Sequence, residues 1–102
     1  MAKTITAEQY DSMVRNASKP VVLEFGADWW PGCRQLRPVV SKISEDETEI
    51  DFYYVDVDQS MDLASQFGVR SIPTLVLIKN GEEVNRSIGF IPEEKVKEFA
   101  HS

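Results

Sequence analysis

With 102 residues the chain is long enough to bury a two-layer core without disulfide or metal staples, and residues 1–102 are read as one domain. Seventeen acidic against eleven basic side chains leave a net charge of −6 at pH 7, which argues against nucleic acid and against an anionic membrane as partners, since either would repel the protein. The single cysteine excludes an intramolecular disulfide. No segment approaches the length and apolarity of a membrane span, and Met1-Ala2-Lys3-Thr4-Ile5-Thr6 carries no hydrophobic signal core, so a cytoplasmic, reducing location is expected.

In chain order, Lys3 to Thr6 predicts a short edge strand, and Thr6-Ala7-Glu8-Gln9 is a capping box that opens a helix. Tyr10, Met13, Val14 and Ala17 supply its buried face, and Ser18-Lys19-Pro20 ends it. Val21-Val22-Leu23-Glu24-Phe25 is a continuous β-prone run, as in a strand covered on both faces; Glu24 is its one charged member. A second helix opening near Gly32 carries Cys33, Leu36, Val39, Val40 and Ile43 on one stripe, with a kink expected at Pro38. Ile50 to Asp56 reads as a strand and Asp58 to Phe67 as a short helix closed by Gly68. Ser71-Ile72-Pro73 leads into the buried strand Thr74 to Ile78. Lys79-Asn80-Gly81-Glu82 predicts a type I′ hairpin and Glu83 to Ile88 the returning strand. Pro92 opens a last helix at its first position, with Val96, Phe99 and Ala100 inward. The order β-α-β-α-β-α-β-β-α implies an α/β fold, a mixed sheet with helices on both faces.

The centre of interest is Phe25-Gly26-Ala27-Asp28-Trp29-Trp30-Pro31-Gly32-Cys33, where a strand ends, the chain turns at Pro31-Gly32 and a helix begins with the only cysteine. A thiol in a first helical turn meets unpaired N–H groups and the positive end of the helix dipole, which favour thiolate. Taken alone, a cysteine is more often a small buried hydrophobe than a reactive group, and the place of Cys33 in the first helical turn brings the two readings level; Trp30 taken alone is an exposed apolar side chain on a turn. Burial of Glu24 would raise its pKa; the alternative is that it snorkels to solvent. His101 has no partner for a metal site, and Asp56, Asp58 and Asp62 lack the full calcium-loop pattern, so neither metal nor cofactor is expected.

Ala27-Asp28-Trp29, then four residues ending in Cys33, then Pro38, resembles the active-site segment of the thioredoxin family. Leu23-Glu24-Phe25, Val55-Asp56-Val57-Asp58-Gln59, Gly68-Val69-Arg70-Ser71-Ile72-Pro73-Thr74 and Lys79-Asn80-Gly81-Glu82 follow in family order, so the resemblance spans essentially the whole chain. It implies the thioredoxin fold and protein-disulfide reduction in cell redox homeostasis, on protein or peptide substrates with disulfides. In that register Cys33 matches the second, resolving cysteine. Trp30 stands where the family has its nucleophilic cysteine, and the Gly-Pro between the two is reversed as Pro31-Gly32. The resemblance further implies that Glu24 stands for a buried aspartate that accepts the resolving thiol's proton, while Tyr54 replaces a lysine often found near that acid. By the same analogy Pro73 is cis, the Ile72 backbone pairs with an extended peptide, and Trp29, Pro31, Gly32, Gly89 and Phe90 complete the substrate-binding surface.

Dithiol exchange needs one thiolate that attacks substrate and a second thiol that releases it. This chain has only the second, so exchange is expected to be disabled. A two-cysteine parent, were Trp30 an introduced residue, would be serviced by a flavin-dependent thioredoxin reductase. The alternatives are a non-catalytic module that holds a peptide or a second copy of itself on Trp29, Trp30, Ile72 and Phe90, and a one-thiol redox sensor through Cys33.

Overall fold

The computed structural model describes residues 2–102. Its five strands, β1 (Lys3–Thr4), β2 (Val21–Gly26), β3 (Asp51–Asp56), β4 (Thr74–Lys79) and β5 (Glu82–Ile88), form one mixed sheet in the order β1-β3-β2-β4-β5. β3 runs parallel to both β1 and β2, while β4 is antiparallel to β2 and to β5. The helices are α1 (Ala7–Tyr10), α2 (Pro31–Asp46), α3 (Met61–Gln66) and α4 (Glu93–Ala100).

Alternation along the strands divides the core into two layers. Val22, Phe52, Leu75 and Leu77 pack under Leu36, Val40 and Ile43 of α2 and Val96 and Phe99 of α4. Val21, Leu23, Phe25, Val76 and Ile78 face the other way, onto Tyr10, Val14 and Leu63 from the α1 and α3 side. Each such side chain, when fully buried, contributes about 1.5–3 kcal/mol relative to exposure, which is why the central strands read as unbroken apolar runs.

Local signals account for most element ends. The Thr6 N–H donates to Gln9 Oε1 at 3.0 Å, half of the capping box. Asn80 and Gly81 take φ of 54° and 79°, the two positive values a type I′ turn demands. Three details differ from expectation. The first helix widens into a π-turn over Asp11–Arg15, the Asn16 N–H reaching back to the Asp11 carbonyl at 3.1 Å. α2 begins one residue earlier than expected, with Pro31 rather than Gly32 at its first position, where a missing N–H has no cost, and it runs on as helix through Pro38. Pro92 is the N-cap of α4 rather than its first residue, its carbonyl accepting from Val96 N–H at 3.0 Å.

Candidate active site

β2 delivers Glu24, Phe25 and Gly26 to the sheet's end; Ala27 to Trp30 bridge to α2, and the chain re-enters as helix at Pro31. Trp30 is the N-cap residue, its carbonyl accepting from Arg34 N–H at 3.0 Å. Cys33 is therefore the third residue of α2, and its side chain points inward: it is 1% exposed, pressed against Gly26. A Cβ added to Gly26 would sit 3.0 Å from Cys33 Sγ and 3.1 Å from the Tyr54 hydroxyl oxygen, so this strand end accommodates only glycine without rearrangement.

The electrostatics correct the expectation of a favoured thiolate. Burial pushes the Cys33 thiol up; a hydrogen bond with the Ala27 backbone pulls the other way, and the carboxyls of Glu24 and Asp28 add to the rise. The helix N-terminus places the sulfur but does not outweigh its desolvation.

Glu24 lies beneath this thiol, wholly buried on the α2 side of the sheet, and neither of its carboxyl oxygens has a hydrogen-bond partner among the described residues. Burial pushes its pKa up to about 8; Arg37 opposes the rise and Asp28 adds to it. Burial with a raised pKa is what the sequence predicts for this acid, and the alternative, snorkelling to solvent, does not occur. The cation missing from position 54 is instead supplied by Arg37, which the sequence reading passed over. Its guanidinium lies 3.7 Å from the Tyr54 ring centroid and donates to Asp28 Oδ1, while the Tyr54 hydroxyl donates to the same oxygen at 3.4 Å. The available signal was spacing: Arg37 follows Cys33 by four residues, so the two lie on one row of α2.

Above the thiol the surface is aromatic. Trp29 and Trp30 are 61% and 45% exposed, packed edge to face with centroids 5.9 Å apart. The Trp29 indole N–H donates to Asp58 Oδ2 at 2.7 Å, which ties the turn to the segment after β3. The Ile72–Pro73 bond is cis, as the resemblance implied. Buried Pro73 reaches the α2 N-terminus: a Cβ on Gly32 would come within 3.2 Å of Pro73 Cδ and 3.7 Å of Trp30 Cδ1. Gly89, at φ 93°, closes the other side by donating its N–H to the Pro73 carbonyl at 2.8 Å.

The result is a shallow depression of about 270 Å³ walled by Trp29, Trp30, Arg70, Ser71 and Ile72. The Ile72 N–H and C=O take no backbone partner among the described residues. Pro31 is exposed at the lip, while Phe90, exposed one residue past Gly89, does not line this depression. The structure thus brings Glu24 and Cys33 together in the interior and Trp29, Trp30 and Ile72 at the surface. Arg70 and Ser71 are wall residues that the sequence reading did not single out. No cluster of histidine, cysteine or acidic side chains suited to a metal ion occurs among the described residues.

A family model described as Thioredoxin matches residues 1–102. The thioredoxin of Rickettsia bellii is 31% identical, covering all of this chain and 98% of that protein. Thioredoxin-1 of Saccharomyces cerevisiae is 40% identical over 85% of this chain and 84% of its own. The crystal structure of Malassezia sympodialis thioredoxin superposes with a TM-score of 0.85 at 30% identity, covering 99% of this chain and 89% of that one.

Proposed function

The chain belongs to the thioredoxin family, with the thioredoxin fold, and on that footing we propose that it keeps the scaffold of a protein-disulfide reductase while lacking dithiol exchange. The observation that carries this reading is the pairing of Trp30 at the α2 N-cap with a lone, buried Cys33 three residues on. In dithiol exchange, a surface thiolate attacks one sulfur of a substrate disulfide and expels the other as thiolate. A second thiol then attacks the mixed disulfide, leaving substrate as a dithiol and the enzyme oxidised. An indole cannot begin that sequence, and Cys33 is shielded and disfavoured as thiolate. Glu24, buried near the thiol and protonated through neutral pH, is the group to exchange a proton with it in a two-cysteine parent, which thioredoxin reductase would service. The test is insulin reduction with dithiothreitol as electron source: the chain is expected to add nothing to the uncatalysed rate, and turnover at thioredoxin-like rates would overturn the reading.

A second reading, favoured by the Trp29–Trp30–Ile72 depression and the unpaired Ile72 backbone, is that this surface binds an extended peptide without turning it over. An intracellular, reducing setting fits the single free cysteine.

A further inference from the structure

The depression beside Trp30 is not isolated. A second one, of about 420 Å³, lies across the loop before Pro73, with Val57, Met61, Ala64 and Val69 among its walls, and Arg70 is common to both. Met61, at the start of α3, is 71% exposed and gives this second hollow a large apolar side chain. Between the two hollows stands one charge. In a chain with a net charge of −6, Arg70 is the only ionisable side chain in either wall among the described residues. It is exposed and has no acidic partner among the described residues. Asp58, next in the chain to the wall residue Val57, lines neither hollow and accepts from the Trp29 indole N–H. An exposed cation flanked by apolar walls, with no carboxylate on it among the described residues, is free to meet a charge brought by a partner.

Resting on the peptide-binding reading above, we propose that the surface is a two-part trough for an extended peptide with an acidic residue between two apolar ones. A strand paired with the Ile72 backbone presents alternate side chains to one face. One apolar side chain enters the hollow at Trp29, Trp30 and Ile72, the next on that face is a carboxylate that meets Arg70, and the third lies on Met61 and Val69. Arg70 is the specificity residue of this arrangement.

The test is fluorescence anisotropy with a labelled peptide containing Leu-Thr-Glu-Thr-Phe and two counterparts in which glutamate is replaced by glutamine or lysine. The glutamate peptide is expected to bind about two- to fivefold more tightly than the glutamine peptide, the range of an exposed ion pair, with the lysine peptide weakest. Arg70→Glu reverses that order, Met61→Ser weakens all three, and added salt narrows the spread. Equal binding of the three peptides, unchanged in Arg70→Glu, overturns the proposal and leaves the peptide-binding reading standing. Absence of binding by every peptide overturns both.

Discussion

Glu24 and Tyr54 are partners in the β2–β3 register, yet the Tyr54 hydroxyl turns to Asp28 and leaves both Glu24 oxygens without a hydrogen-bond partner among the described residues. Tyrosine at this position covers the acid but does not satisfy it. A carboxyl so placed stays neutral through most of the physiological range, at a cost that grows with pH.

That cost has a definite sign. From the ordinary carboxylate value of 4.5 up to about 8, the unfolded chain gives up the Glu24 proton while the folded chain keeps it. Stability therefore falls across this window, by about 1.4 kcal/mol per pH unit for one group, and levels off above it. Glu24→Gln removes the titration. Urea unfolding at about pH 5 and about pH 8 is expected to show the parent chain losing about 3 kcal/mol relative to the variant over that interval. Parallel pH profiles for the two proteins would refute the assignment.

Arg37 is the main charge opposing the high pKa of Glu24. Arg37→Met keeps the aliphatic stem and removes the guanidinium from the Tyr54 ring and from Asp28. The variant is expected to lose about 1 kcal/mol of stability. Its fall in stability with pH should also extend to higher pH, since nothing then counters burial of the acid. An unshifted window would mean that Arg37 is too well solvated to act on Glu24.

Gly26→Ala places a methyl against Cys33 Sγ and the Tyr54 hydroxyl, closer than Cβ atoms are normally found. Overpacking of this kind costs about 1–3 kcal/mol, partly offset by the lower unfolded-state entropy of alanine. In a Cys33→Ala background the penalty should shrink, because the nearest obstructing atom is gone. A double-mutant cycle from urea denaturation measures the coupling, and strict additivity would count against the contact.

The depth of Cys33 makes it a slow thiol. Alkylation of the folded chain by iodoacetamide at pH 7 is expected to run at least about tenfold slower than in urea, and the midpoint of its pH–rate profile should lie above that of the unfolded chain. Glu24→Gln should lower that midpoint, because the Glu24 carboxylate is one of the charges that hold it up. Equal rates in folded and unfolded protein would revive the redox-sensor reading.

Much of this architecture is legible in the sequence because its causes are local or periodic. The unbroken run Val21 to Phe25 announces a strand covered on both faces; Thr6 with Gln9, and Asn80 with Gly81, mark their cap and turn through hydrogen bonding and backbone sterics. The site is less legible because it depends on depth and on side chains brought together from separate elements. A cysteine in a first helical turn reads as activated; the stripe it shares with Leu36, Val40 and Ile43 points it inward, but only the packing of its sulfur against Gly26 shows that burial prevails. Asp28, Arg37 and Tyr54 come from a loop, a helix and a strand, and no spacing rule joins all three. The trough at Arg70 is likewise a product of the turn before Pro73, where exposed side chains follow no period.

The most direct test of the central claim is insulin-disulfide reduction by the chain and by Trp30→Cys, side by side, with dithiothreitol as electron source. If Glu24, Cys33, Pro73 and α2 remain set for exchange, restoring the attacking thiol at the α2 N-cap should raise turnover from background by roughly two orders of magnitude or more. Turnover by the unaltered chain equal to that of Trp30→Cys would contradict the account, and so would a Trp30→Cys variant that folds and stays inactive.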